Sequence, residues 1–158
     1  MPDLSTARTD PSTLRRIELR RLEDGGYEAT NPRGGVIRVS GDDADFTPVE
    51  LLLTALAGCS AIDVDLITGK RAQAERLVVG AQGHKVRDEK GNHLVDLLVT
   101  FDVAFPEGPD GDKAREALPR AMAQTRDRLC TVSRTVALGE PVEYVDVSER
   151  EGQSPEGD

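Results

Sequence analysis

The chain of 158 residues contains two cysteines, and each lies in a distinctive setting. Cys59 lies within the apolar stretch TPVELLLTALAGCSAIDVDLI, and Cys130 follows a charged, alanine-rich segment at DRLCTVSRT. In a reducing compartment an isolated cysteine pair is more often catalytic or incidental than a permanent disulfide. The residues are far apart in sequence, so only a fold that joins their segments makes them a redox pair. Two alternatives are open: a dithiol redox enzyme, or two inert buried thiols.

Local electrostatics are expected to disfavour a thiolate at both positions. Cys59 is predicted to lie in the middle of a buried helix, far from the helix N-terminus, where apolar surroundings raise the pKa of a thiol. Asp63 follows on nearly the same helix face, and its carboxylate would oppose a Cys59 thiolate. Cys130 is predicted at or just beyond the negative, C-terminal end of a second helix. We therefore expect that a reactive Cys59 thiolate needs a cation from elsewhere in the fold. Cys130 would suit a later step, in which it condenses with an oxidised Cys59.

The helix that carries Cys59 has a clear start signal. Thr47, Pro48 and Glu50 occupy the N-cap, first and third helical positions, which is the capping-box pattern. The helix is predicted to run from Pro48 to about Thr68. Its first half has almost no polar side, so we expect other structure, including a second subunit, to cover it.

Strands and a second helix are predicted for the rest of the folded chain. The second helix spans about Asp112 to Leu129, and the sequence leaves open whether Pro119 kinks it or starts its main segment. The order of elements favours the α+β class, with segregated antiparallel sheet and two main helices. The predicted strands lie at 16–22, 27–30 and 36–39 in a meander, at 77–86 and 94–105 in a long hairpin, and at 132–138 and 142–147.

A single domain is predicted over residues 14–147. Residues 1–13 and the acidic tail 148–158 are polar and contain proline, so both are predicted to be disordered. The polar start of the chain does not resemble a signal peptide, which predicts a cytoplasmic location.

Charge and hydropathy argue against nucleic-acid and membrane partners. The formal net charge is −9, and the 20 basic residues form no stripe that would bind phosphates. The apolar run 49–67 is about as long as a bilayer is thick. It carries Asp63 and Asp65 near its end and lacks flanking aromatic or basic anchors, so we assign it to a core or a subunit interface.

A metal site is a weaker hypothesis. His84 and His93 flank the turn of the long hairpin and could face each other across its strands. Two histidines without an obvious third ligand favour ordinary strand surface over a metal centre. We predict no metal and no other cofactor.

Two segments carry a family resemblance. Residues 47–64, TPVELLLTALAGCSAIDV, and 129–133, LCTVS, are similar to the cysteine segments of the OsmC/Ohr family of osmotically inducible and organic hydroperoxide resistance proteins. The resemblance covers about residues 14–147 and is nearer to the broad OsmC-like branch than to Ohr proper. It implies an OsmC-like α+β fold, an intertwined homodimer with active sites at the subunit interface, and a cysteine-based peroxidase without metal or flavin.

The resemblance also implies a role for each candidate residue. Cys59 corresponds to the peroxidatic cysteine, Cys130 to the resolving cysteine, and Glu50 to a carboxylate that orients an activating arginine. Glu50 lies about 13 Å from Cys59 along the helix and on the opposite face, so helix capping is the simpler function for it. For the arginine we prefer Arg38, predicted on a strand, to Arg33, predicted in a turn, because a strand holds a side chain more firmly.

The function expected from these residues is reduction of organic hydroperoxides to alcohols. Cys59 would become a sulfenic acid, a Cys59–Cys130 disulfide would follow, and a dithiol, possibly of lipoyl type, would reset the enzyme. The alternative is a non-catalytic OsmC-like dimer that binds hydrophobic small molecules or senses redox state.

Overall fold

A computed structural model describes residues 10–41 and 44–148 and has α+β architecture. Its contacts divide the chain into two compact units. The first runs to Gly58 and includes Leu77–Asp102, and the second contains Cys59–Arg76 and the chain from Val103 onward. The elements in chain order are a 3₁₀ helix (Pro11–Thr13), β1 (Glu18–Arg21), β2 (Tyr27–Thr30), β3 (Val36–Val39), α1 (Pro48–Thr68), β4 (Arg76–Asp88), β5 (Gly91–Ala104), α2 (Pro109–Gln124), a π-helical turn (Thr125–Leu129) and α3 (Thr131–Leu138).

Strands β1, β2 and β3 form an antiparallel meander in the first unit. Ala29 at its centre pairs with Leu19 on one side and with Ile37 on the other. Gly25 and Gly34 occupy the two turns, each with a φ of +87°, a left-handed conformation that favours glycine. The predicted N-terminal meander is confirmed.

Strands β4 and β5 form the predicted long hairpin as a separate sheet. At its tip the Asp88 carboxylate accepts hydrogen bonds from the backbone N–H groups of Lys90 and Gly91, at 2.7 and 3.0 Å. Such a side-chain-to-backbone bond stabilises a tight turn. Both strands extend beyond the predicted ranges towards the turn.

Helix α1 begins and ends where the sequence indicates. The Glu50 carboxylate accepts hydrogen bonds from the backbone N–H and the hydroxyl of Thr47, at 2.8 and 2.9 Å, and the Thr47 hydroxyl accepts one from the Glu50 N–H at 3.3 Å. This reciprocal pattern is a capping box. At the other end the Gly69 N–H donates to the Asp65 carbonyl at 2.8 Å.

Helix α2 starts at Pro109 and continues past Pro119 without a break in helical structure, so Pro119 does not start its main segment. Ala114 and Ala121 on this helix are fully buried, as is Val64 on the part of α1 that belongs to the second unit. The predicted helix end at Leu129 is correct for the helical path as a whole, but its last five residues, Thr125–Leu129, form a π-helical turn.

The prediction of strands at 132–138 and 142–147 is wrong. Thr131–Leu138 is helix α3, and 141–147 has no regular secondary structure. Valine and threonine suggested a strand here, but the helix is fixed at both ends by caps. Its N-cap is Cys130, and it ends at Gly139, whose left-handed φ of +62° allows its N–H to bond the Thr135 and Val136 carbonyls.

The predicted disordered ends fall mostly outside the described residues. Residues 11–13 of the N-terminal segment form the 3₁₀ helix, which the Asp10 side chain caps through the Ser12 N–H at 2.9 Å. Residues 1–9, 42–43 and 149–158 lie outside the part of the chain that the structure describes.

Helix α1 is long and apolar enough to cross a membrane, although core helices of other proteins meet the same criterion. Only 22% of its most apolar window is buried. Ile62 and Leu66, one helical turn apart, are 63% and 64% exposed. An apolar helix face is therefore uncovered in the single chain.

Candidate active site: a pair of thiols at a helix N-terminus

Two helical elements meet at Cys130. The π-helical turn ends there, and the Cys130 N–H closes it by donating to the Thr125 carbonyl at 2.9 Å. The backbone of Cys130 then turns to an extended conformation and α3 begins at the next residue. Because π-helical turns are uncommon and often accompany functional sites, this junction is notable for carrying one of the cysteines.

The sulfur of Cys130 caps helix α3. It accepts a hydrogen bond from the Ser133 N–H at 3.3 Å, the bond that a serine or threonine oxygen makes at an ordinary N-cap. The buried Ser60 hydroxyl of α1 lies 3.9 Å from the same sulfur, at the long end for a hydrogen bond. Cys130 is 0% exposed, so these contacts take the place of water around it.

The thiol of Cys59 completes the pair. Both cysteines are free, and each thiol affects the ionisation of the other, so the two side chains are neighbours. The Val132 N–H lies near the Cys59 thiol and favours its ionisation. Cys59 is half-buried, whereas Cys130 is inaccessible. The site therefore combines one thiol that a small molecule can reach with one that it cannot.

The two thiols differ in acidity. Burial is the largest cause that raises the pKa of Cys59, and the neighbouring Cys130 and the charge of Asp63 raise it further. The Val132 N–H acts in the opposite direction. Burial also opposes ionisation of Cys130, but the hydrogen bonds from Cys59, Ser133 and Ser60 outweigh it and leave the Cys130 pKa below its ordinary value. Cys130 is therefore the more acidic thiol of the pair.

The expected electrostatics are confirmed for Cys59 and wrong for Cys130. The sequence placed Cys130 at the negative end of a helix, but it also stands at the positive end of the next one. The donors from Val132 and Ser133 at the second and third positions of α3 serve both sulfurs. The error followed from predicting a strand where α3 begins.

Asp63 lies one turn after Cys59 on α1. One of its carboxylate oxygens is buried without a hydrogen-bond partner among residues 10–41 and 44–148. Its charge opposes a thiolate at Cys59, as expected from the helical spacing.

Glu50 is used by the cap at the start of α1. Its hydrogen bonds with the Thr47 backbone and hydroxyl lower the pKa of the Glu50 carboxyl, so it is ionised at neutral pH. These bonds account for both the residue type and its position, independently of any role at the thiols.

Arg38 lies on β3, as predicted, and its guanidinium bridges two carboxylates. It donates to Asp24 at 2.8 Å and to Asp45 at 3.1 Å, and these bonds raise its pKa while holding the side chain in place. Arg33 lies in the turn between β2 and β3, where it lines an open groove with Arg15 and Arg16. The structure thus joins Cys59 with Cys130, and ties Glu50 and Arg38 to other partners.

Sequence reasoning missed Ser60 and Ser133. Ser133 stands three residues after Cys130, the spacing at which an N-cap side chain meets a backbone N–H, so a capping cysteine could have been considered. No comparable signal marks Ser60, whose partner lies 70 positions away.

His84 and His93 lie on the two strands of the long hairpin. His93 lies 3.7 Å from the Asp88 carboxylate at the exposed hairpin tip. Within residues 10–41 and 44–148, no group of three or more His, Cys, Asp or Glu side chains could hold a metal ion.

The fold and the site define an α+β protein with a reduced dithiol at a helix N-terminus. Residues 41–145 match the family model described as OsmC-like protein, and the chain belongs to this family. A Mycobacterium tuberculosis protein, described as uncharacterized, is 31% identical over 126 residues, which cover 77% of this chain and 89% of the relative.

Solved structures share the fold. A hypothetical protein from Aquifex aeolicus has a TM-score of 0.63 at 19% identity, covering 79% of this chain and 88% of its own. An OsmC-like protein from Mycoplasma pneumoniae has a TM-score of 0.61 at 17% identity, covering 78% of this chain and 87% of its own. The predicted α+β, OsmC-like fold with antiparallel sheets is confirmed, with α3 as a third helix.

Proposed function

We propose that the protein is a thiol-dependent peroxidase that reduces organic hydroperoxides to alcohols. The observation that carries the proposal is the contact between an accessible thiol, Cys59, and a buried thiol, Cys130, at the N-terminus of α3. Membership of the OsmC-like family supports the same chemistry through its resemblance to organic hydroperoxide resistance proteins.

In the proposed reaction Cys59 attacks the distal oxygen of the peroxide. The O–O bond breaks, the alcohol leaves, and Cys59 becomes a sulfenic acid. Cys130 then attacks the Cys59 sulfur and water departs, which leaves a disulfide. The half-exposure of Cys59 and the burial of Cys130 support this order, because the peroxide must reach the first nucleophile.

We propose that Arg38 and Glu50 assist the accessible thiol from across a subunit boundary. Within their own protomer, Arg38 is engaged with two aspartates and Glu50 with its cap. The family resemblance assigns Glu50 the orientation of an arginine, and an arginine near Cys59 would stabilise its transient thiolate.

A homodimer is part of the proposal. The exposed apolar face of α1, with Ile62 and Leu66, is a surface that a second copy would bury. An apolar surface of this kind also favours hydrophobic peroxides over hydrogen peroxide. We further propose a cytoplasmic location and a dithiol reductant, possibly of lipoyl type, that opens the disulfide.

A redox sensor is the second candidate. The raised pKa of Cys59 favours slow oxidation, which suits a sensor better than a fast enzyme. A sensor would form the same disulfide but would not turn over with a dithiol. A purely binding dimer would form no disulfide.

One assay distinguishes these functions. Reduced protein is mixed with cumene hydroperoxide and excess dithiol, and peroxide loss is followed in wild type and in Cys59→Ser. We expect many turnovers in wild type and none above background in Cys59→Ser. Equal rates would exclude the peroxidase. Intact mass after peroxide alone should show loss of two hydrogens in wild type; that change without turnover would identify the sensor.

A further inference from the structure

The open groove lined by Arg15, Arg16 and Arg33 has the size of a small-molecule site. Its volume is about 820 Å³, and all of its lining residues belong to the first unit of the fold. Ligand sites in proteins commonly enclose about 300–1,000 Å³. Arg15 and Arg16 precede β1, and Arg33 lies in the turn between β2 and β3. Three positive charges therefore meet in one groove of a chain whose formal net charge is −9.

The three guanidinium groups are free of ion pairs within residues 10–41 and 44–148. Arg15 uses Nη1 to donate to the Ser12 and Leu14 carbonyls, at 2.9 and 3.0 Å, which holds the side chain in place without neutralising its charge. A guanidinium binds a carboxylate or a phosphate through paired, charge-assisted hydrogen bonds. The groove thus has cationic donors that an anion from solution can use.

A smaller hollow extends the groove. Its volume is about 440 Å³, and it shares Arg16 and Ile17 with the larger one. Glu18 adds a carboxylate to the lining of this hollow, but it pairs with Arg20 at 2.6 Å. Its negative charge is therefore balanced locally, and the hollow adds length to the groove.

Apolar side chains lie beside the arginines. Leu14 and Ile17 are 63% and 66% exposed, and the rings of Pro11 and Pro32 also line the groove. An aliphatic chain placed on these side chains would remove apolar surface of both partners from water. Among the lining residues in the described part of the chain none is aromatic, so a nucleobase would find no ring on which to stack. The lining therefore favours an aliphatic ligand over a nucleotide.

We propose that this groove binds a small amphipathic carboxylate, with its carboxylate group among Arg15, Arg16 and Arg33 and its aliphatic chain against Leu14 and Ile17. The inference does not rest on the peroxidase function. The ligand carries no peroxide, and neither Cys59 nor Cys130 lines the groove. A chain that consumes no hydroperoxide would still bind this ligand.

Titration calorimetry with decanoate, kept below its micelle concentration, tests the charged half of the site. We expect one decanoate to bind per protomer at low salt. Arg16→Ala removes one charged donor and should weaken binding about 10-fold. Arg87→Ala is the matched control, because it removes the same charge from an exposed position on β4 and should keep the wild-type affinity. Equal affinity in Arg16→Ala and Arg87→Ala, or no binding to wild type, would overturn the proposal.

A chain-length series tests the apolar half. From hexanoate to decanoate, affinity should rise roughly twofold per methylene, since an open groove buries each methylene only in part. Leu14→Gln should flatten this series and leave its salt dependence intact. Octanol, which has no charge, should bind about 10-fold more weakly than octanoate. Affinity that is independent of chain length would indicate a site for a bare anion, and equal binding of octanol would indicate an uncharged apolar groove; either result would refute the amphipathic ligand.

A vesicle experiment separates a soluble ligand from a lipid surface. Wild type is mixed with vesicles that contain an anionic phospholipid, and the bound fraction is measured by sedimentation. We expect decanoate to bind in solution and to lose affinity in about 0.5 M salt, which screens exposed charges. Binding to vesicles that Arg16→Ala abolishes, without binding of monomeric decanoate, would make the groove a membrane contact and overturn the proposal.

Discussion

Replacing Thr125 by valine should stabilise the protein. Thr125 opens the π-helical turn and is 2% exposed, and its hydroxyl is buried without a hydrogen-bond partner among the described residues. A buried hydroxyl that lacks a partner costs about 1–3 kcal/mol. Valine has nearly the same shape and puts a methyl group in place of the oxygen. We expect Thr125→Val to raise the free energy of unfolding by about 1–2 kcal/mol.

Thr68 provides the matched control. It is 1% exposed, but its hydroxyl donates to the Val64 carbonyl at 2.9 Å. Thr68→Val removes a real hydrogen bond and should lower the free energy of unfolding by about 0.5–1.5 kcal/mol. The two substitutions are chemically identical and both sites are buried, so their opposite signs isolate the effect of hydrogen bonding.

Urea unfolding under reducing conditions, followed by circular dichroism at one fixed protein concentration, measures both effects. With a slope of about 1–3 kcal/mol per M, the Thr125→Val midpoint should rise by roughly 0.3–2 M. Because the Thr125 carbonyl still accepts the Cys130 N–H, alkylation of Cys59 should proceed at the wild-type rate. If Thr125→Val were destabilised as much as Thr68→Val, the Thr125 hydroxyl would have a partner and the reasoning would be refuted.

Three further predictions concern the proposed function. Glu50→Gln should preserve stability, because glutamine also completes a capping box, but should slow peroxide turnover; an unchanged rate would restrict Glu50 to capping. Arg38→Ala should slow turnover in the same assay while Arg33→Ala does not, and equal rates in the two variants would remove Arg38 from the site. Lysine at both Ile62 and Leu66 should convert a dimer to a monomer by light scattering; a dimer that persists would place the interface elsewhere.

Helix α1 and the two β-hairpin regions could be predicted because their signals are local. Thr47 and Glu50 are three residues apart and satisfy each other, so the helix start is contained in four residues. Turn glycines bounded the meander in the same way. The contact of Cys59 with Cys130 could only be expected from a family resemblance, because no local pattern relates residues so far apart.

The ion-pair partners of Arg38 could not be predicted from the sequence either. The sequence indicated a strand arginine held in place, and β3 provides one. Its partners, Asp24 and Asp45, come from a turn and from the segment before α1, and nothing in the spacing of the three residues distinguishes them from other acidic residues. The position of a side chain on an element was predictable, but its ion-pair partners were not.

The incorrect prediction of a strand at 132–138 also caused the incorrect prediction for the acidity of Cys130. In a strand, the N–H groups of Val132 and Ser133 would point to opposite sides, and one sulfur could not lie near both donors together with its neighbour. In α3 they are consecutive unpaired donors of a first turn, which point the same way and meet the two sulfurs. Capping by Cys130 therefore does two things at once. It starts the helix, and it gives the buried thiol the hydrogen bonds that make it the more acidic member of the pair.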